Sequence, residues 1–176
     1  MAKPRVGIVI GSDSDLPVMK DCAKILDELS IPCEIIISSA HRVPDKTTEY
    51  ARTASDRGLA VIVAAAGGAA HLPGVIAAHT PLPVIGVPIK SGALNGLDAL
   101  YAIVQMPSGV PVATVAINGA QNAGILAAQI IGATDRPVRD RITAFKEKMA
   151  RQVEEKDARL AQLGIEGYQM EVSLND

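Results

Sequence analysis

The sequence contains no tryptophan, one phenylalanine and three tyrosines. With so few rings and so many alanines and glycines, its contacts are expected to be close and aliphatic. Cysteine is nearly absent too: Cys22 and Cys33 stand at no metal-ligand spacing, and no charged leader precedes an apolar core at the N-terminus. Both features favour a reduced, cytoplasmic setting without a metal site. Net charge is small, at -2, which argues against nucleic acid or an anionic membrane as partner.

Charge is also missing from one long stretch. Between Ala60 and Thr134 only Lys90 and Asp98 are charged, whereas the last 42 residues carry 17 of the 36 charged side chains. A membrane span does not account for this, because the longest small and apolar run, Leu59 to Ala70, is too short, and prolines and glycines interrupt the residues beyond it. A homo-oligomer does account for it. A single domain of 176 residues buries a substantial core but cannot hide all of that stretch from water by itself.

What the chain does have is a regular alternation of apolar runs and amphipathic segments. Arg5 to Ile10, Pro32 to Ser38, Leu59 to Ala66, Pro83 to Val87 and Val112 to Ile117 read as strands, the continuous apolar ones as buried parallel strands. A helix opens after Ser12-Asp13-Ser14-Asp15 with Pro17 in its first turn, and a second runs from Asp45 to Arg57 with Gly58 as its cap. Further helices are predicted from about Leu72 to His79, Gly96 to Gln105 and Asn118 to Ile131. The pattern predicts an α/β fold, a three-layer αβα sandwich over residues 1–134, with a five-stranded parallel sheet in the flavodoxin-like order 2-1-3-4-5. Residues 135–176 form a C-terminal helical extension of the same domain, with a charged helix from Pro137 to Leu163 and an apolar stripe at Val138, Ile142, Phe145, Met149 and Val153.

In such a sheet ligands bind beyond the carboxyl ends of the strands. There the sequence places Gly11 to Asp15, Ser39 to Arg42, Ala66 to Leu72, the loop after Val87 and the turn at Asn118. Ser39-Ala40-His41-Arg42 sets an imidazole able to move a proton beside a permanently charged guanidinium able to hold an anion. The backbone N–H groups and hydroxyls of Ser12 and Ser14, with Arg42, suit a phosphate, whereas Asp15 would repel one and better accepts hydrogen bonds from ribose hydroxyls. Ser12 or Asp13 capping the helix is the plain alternative. Gly67-Gly68 lets backbone approach a carboxylate or a ring edge, or else serves close packing. His71 bonds a substrate carboxylate or only the loop backbone, and His79 reads as structural. No P-loop, Gly-x-Gly-x-x-Gly or flavin signature is present. The residues by themselves reach a phosphate-bearing small molecule and acid/base chemistry by one histidine.

Gly-Ser-Asp-Ser-Asp at 11–15, Ser-Ala-His-Arg at 39–42, Ala-Gly-Gly-Ala-Ala-His-Leu-Pro-Gly at 66–74 and Ile-Val-Gln-Met-Pro at 103–107 together resemble the catalytic subunit of phosphoribosylaminoimidazole carboxylase. The match is to its bacterial branch, the class I carboxyaminoimidazole ribonucleotide mutases, and runs from about Arg5 to Gly132. The resemblance implies an isomerase of de novo purine synthesis that moves a carboxylate from the exocyclic nitrogen to carbon 4 of the aminoimidazole ring. It implies no metal, biotin, ATP or other cofactor, and a homo-octamer. By the same resemblance His41 is the general acid/base. Ser12, Asp15 and Arg42 bind substrate, and Gly67, Gly68, His71 and Leu72 surround the reacting carboxylate. Ser14, Ser39 and Ala66, in the same segments, complete the expected site. Two rivals stay open on the sequence: a carboxylase acting on aminoimidazole ribonucleotide and carbon dioxide, and a non-catalytic nucleotide-binding module.

Overall fold

The computed structural model describes residues 3–175. The first strand, β1 (Val6–Ile10), is buried along its whole length, as an uninterrupted apolar run bounded by glycine requires. A single 3-10 turn, Asp13–Asp15, leads into α1 (Leu16–Glu28). Ser12 caps that turn by accepting from the Ser14 N–H, and Pro17 sits in the first turn of α1. The chain continues through β2 (Cys33–Ile37), α2 (Pro44–Thr53), β3 (Val61–Gly67), α3 (Leu72–Ala77), β4 (Val84–Ile89), α4 (Leu97–Val104), β5 (Ala113–Thr114) and α5 (Ala120–Gly132). The five strands are all parallel and lie in the order β2-β1-β3-β4-β5, the expected flavodoxin-like arrangement.

Side chains alternate across the sheet, and two helical layers divide them. Val9, Ile62, Ala64 and Val84 share one core cluster with Ala51 of α2, Leu72 and Ile76 of α3, and Ala99 and Ile103 of α4. The alternate residues, Ile8, Val63 and Ile85, are equally buried and face the layer of α1 and α5. Those two helices approach closely at Gly124, where an added Cβ would lie 2.4 Å from Ile25 Cγ2 and 3.0 Å from the Cys22 carbonyl oxygen. The scarcity of rings is met by this close approach.

Several boundaries differ from the sequence reading by a residue or two, β4 ending at Ile89 rather than Val87 and α3 at Ala77 rather than His79 among them; three differ by more. The fifth strand keeps only Ala113–Thr114 of the predicted Val112 to Ile117. Gly86 and Pro88 both face β5, accepting from the N–H groups of Val115 (3.1 Å) and Asn118 (2.8 Å), but Pro88 has no N–H to return, so the ladder ends there. The second helix stops at Thr53 rather than Arg57, and a turn closed by Gly58 (φ +94°) carries the chain into β3. The last helix, α6 (Arg136–Asn175), extends beyond the predicted end at Leu163 and breaks at Gly164, whose φ is 66°.

The chain divides into two compact units, one ending at Arg139 and one beginning at Asp140. In the first, Asp135 accepts the Val138 N–H at 3.2 Å and pairs with Arg5 at 2.6 Å, so it caps α6 and ties its start to β1. In the second, the break at Gly164 reverses the chain far enough for Arg159 to pair with Glu171 at 3.0 Å. Among the described residues no helix is long and apolar enough to cross a membrane.

Candidate active site

The carboxyl ends of β1, β2, β3 and β4 point to one rim, and the loops leaving them enclose a cavity of ≈ 380 Å³. Ser12, Ser14, Asp15, Ser39, His41, Arg42, Ala66, Gly67 and Leu72, all expected, line it. Gly68 and His71, also expected, do not line it directly. His71 still belongs to the same cluster, because its Nδ1 lies 2.9 Å from His41 Nε2 and the two rings meet edge to face at 5.0 Å between centroids. One of those nitrogens donates and the other accepts, so the bond joins the loops after β2 and β3 only while one ring keeps a free lone pair.

The phosphate-type features sit on the β1 and β2 side. Arg42 donates from Nε to Ser39 Oγ at 3.3 Å and from Nη2 to the Gly11 carbonyl oxygen at 3.1 Å. A guanidinium has five N–H donors; the three left over are available to an anion. On the outer side of Arg42 a second cavity of ≈ 410 Å³ opens, sharing Gly11, Ser12 and Ser39 with the first and bounded by Asp13, Ile37, Val43 and Lys46. Lys46 donates to the Ile37 carbonyl oxygen at 2.9 Å. It thus adds a second cation beside Arg42, one that the sequence reading did not single out.

Asp15 is buried, with only 6 % of its surface exposed. Burial pushes its carboxyl above the ordinary carboxylate value, opposed by hydrogen bonds from the Ser12 and Gly11 backbone and from the Ser14 hydroxyl. An acceptor held that way, in a wall otherwise made of hydroxyls and glycine, suits neutral donors such as ribose hydroxyls and disfavours an anion. Ser12 both lines the cavity and caps the turn; its Oγ accepts the Ser14 N–H and donates to Asp13 at 3.1 Å, so a ligand bound through that hydroxyl takes the place of a bond already made.

Gly11, Ala40, Ala69 and Ser91 complete the lining; the first three lie in segments the sequence reading placed at the rim without singling them out, and Ser91 was missed. Ser91 lies in the loop after β4, a segment legible as part of the rim, but nothing in the string Lys90-Ser91-Gly92 marks the serine as the residue that turns inward. What does so is Gly67: a Cβ built there would come within 2.7 Å of Ser91 Oγ. Gly67 is therefore required by close approach, and Gly68 by its backbone, at φ +60°. The rim is more open than a small apolar pocket would be, since His41 and His71 are both exposed in the single chain. Among the described residues no cluster of three or more histidine, cysteine, aspartate or glutamate side chains could hold a metal ion.

Comparison with known proteins agrees with the fold and identifies the family. The solved structure of Treponema denticola PurE superposes with a TM-score of 0.81 at 29% sequence identity, over 89% of this chain and 98% of that one. A Thermotoga maritima protein named N5-carboxyaminoimidazole ribonucleotide mutase is 61% identical over 94% of this chain and 96% of its own length. A Mycobacterium tuberculosis protein of the same name is 58% identical over 92% of each. A Schizosaccharomyces pombe phosphoribosylaminoimidazole carboxylase is 57% identical over 94% of this chain but only 30% of its own length. With the AIR carboxylase family model also matching residues 5–152, and with that match covering the whole sheet and every loop of the rim, the chain belongs to the AIR carboxylase family.

Proposed function

We propose that the protein isomerises N5-carboxyaminoimidazole ribonucleotide to 4-carboxy-5-aminoimidazole ribonucleotide, a step of de novo purine synthesis, without a cofactor. The observation that carries the reading is His41: an imidazole in the wall of the rim cavity, bonded to His71 of the next loop and followed directly by Arg42. Relatives 51–61% identical that bear the mutase name support it.

In this reading Arg42 holds the phosphate together with Ser12 and Ser14, whose hydroxyls turn to it from Asp13 and Asp15, and Asp15 accepts from the ribose hydroxyls. Ser39 keeps Arg42 in place by accepting from its Nε. Ala66, Gly67, Gly68 and Leu72 bring backbone and one apolar side chain against the base and its carboxylate, with His71 at their edge. His41 protonates the exocyclic nitrogen of the carbamate, and the N–C bond breaks with its electron pair returning to nitrogen. The electron-rich ring carbon attacks the carbon dioxide released, and His41 removes the proton from that carbon. Uptake at nitrogen and loss at carbon balance, so one residue serves as acid and then base.

Retention of carbon dioxide needs a covered site, and a single chain leaves His41 exposed. A homo-oligomer, an octamer in this reading and located in the cytoplasm, supplies the cover. Exposed Leu94, Leu97, Tyr101 and Val104 on and before α4, and Met149 and Val153 on the extension at 135–176, are apolar surface for such contacts.

The test is turnover of the carbamate substrate with bicarbonate withheld. A mutase proceeds at full rate, whereas a carboxylase needs added carbon dioxide. His41→Asn is expected to lower kcat by about 10²–10⁴-fold while product affinity is preserved. Unchanged turnover in that variant would return the protein to the class of non-catalytic binding modules.

A further inference from the structure

Four serines line the cavity, and three already have a hydrogen-bond partner within the chain. Ser12 Oγ donates to Asp13 at 3.1 Å, Ser14 Oγ to Asp15 at 3.3 Å, and Ser39 Oγ accepts from Arg42 at 3.3 Å. The fourth, Ser91, is half-buried at the cavity wall, and its hydroxyl has no hydrogen-bond partner among the described residues. A polar group oriented into a cavity and left without a partner is the one a ligand can satisfy at no cost to an existing bond.

Its place in the sheet says which part of the ligand. Arg42 follows β2 and Ser91 follows β4, on either side of β1 and β3; three strand spacings separate them by about 14 Å. A ribonucleotide whose phosphate lies at Arg42 directs its base toward β3 and β4. There Gly67 closes against Ser91, with only 2.7 Å between a Cβ at residue 67 and Ser91 Oγ. His71, bonded to His41, marks the same end of the site.

We propose that Ser91 Oγ–H donates a hydrogen bond to the carboxylate as it leaves the exocyclic nitrogen and is recaptured by the ring carbon, holding carbon dioxide over the base between the two bond changes. This rests on the mutase reading. Gly67 then has a second reason to lack a side chain: a methyl group there would turn the Ser91 hydroxyl away.

Ser91→Ala tests the assignment. The wild-type protein is assayed first with the carbamate; if it does not convert it, the mutase reading fails and not this assignment alone. Given wild-type turnover, Ser91→Ala is expected to lose roughly tenfold to a hundredfold in kcat/KM, the range for one hydrogen bond to a charged group. It should also release a severalfold larger fraction of its turnovers as aminoimidazole ribonucleotide and free carbon dioxide, with aminoimidazole ribonucleotide affinity unchanged. Merely structural loosening would not alter that partition alone. Gly67→Ala, which keeps Ser91 but displaces its hydroxyl, should raise the same leak, and the double variant should leak no more than Ser91→Ala. A wild-type partition in Ser91→Ala, or additive leaks in the double variant, would overturn the proposal; should Ser91→Ala fail to fold, the partition in Gly67→Ala decides.

Discussion

Replacing Arg42 by methionine separates binding from chemistry. The guanidinium spends two of its N–H groups on Ser39 Oγ and the Gly11 carbonyl oxygen, which leaves three for a ligand. A phosphate gripped by two of those three loses two charge-assisted hydrogen bonds in Arg42→Met. At about 1.5–3 kcal/mol each, the loss is about 3–6 kcal/mol, or on the order of 10²–10⁴ in KM. In the proposed placement the phosphate lies away from the bonds that change, so it is held equally in the ground and transition states and kcat should be unaltered. Steady-state kinetics over a wide range of carbamate concentration measures both constants, with the dephosphorylated riboside as control: its affinity should be equal in the two proteins. Since Arg42 is exposed, folding should be unaffected, which thermal unfolding checks. A KM within twofold of wild type, or a fall in kcat at unchanged KM, would refute the placement of the phosphate.

Asp15→Asn should raise the melting temperature at neutral pH while weakening substrate binding. The folded-state pKa of Asp15 lies above its unfolded value because of burial, so its ionisation destabilises the fold. That penalty is absent below the unfolded pKa and fully present above the folded one. The advantage of the asparagine variant should therefore vanish as pH falls through that window in urea titrations at successive pH values. An advantage independent of pH would contradict the sign. Gly124→Ala should lower stability by roughly 1–3 kcal/mol, because the new methyl group meets Ile25 and the Cys22 carbonyl oxygen at 2.4 and 3.0 Å. A lower urea midpoint at constant slope is the expected readout.

The Gly124 prediction depends on contacts that lie far apart in sequence, and this marks where legibility ended. The order of elements was readable because each strand is a continuous apolar run and each helix an amphipathic one. Parallel pairing and short connections then leave few topologies, and the observed order β2-β1-β3-β4-β5 is the one expected. The strand at Ala113–Thr114 was misjudged in length because its end depends on Pro88 of its neighbour. A reading confined to Val112-to-Ile117 does not see that missing N–H. The helix running past Leu163 escaped for a related reason: Gly164 looks like a terminus, and only the second helical segment, tied back through Arg159 and Glu171, shows it to be a break.

The sequence by itself determined where the chemistry could reside. Parallel strands deliver their loops to one edge, and the loops here carry His41, Arg42, Asp15 and the Gly67-Gly68 pair. Tertiary structure alone decided how those groups meet: that His41 bonds His71 rather than a carboxylate, that Arg42 is braced by Gly11 and Ser39, and that Ser91 closes on Gly67. The reason is that hydrophobic patterning encodes which face of an element is buried, and so the architecture. A hydrogen bond across the rim depends instead on positions set to within a few tenths of an ångström by strand register and loop conformation, for which no local sequence signal exists.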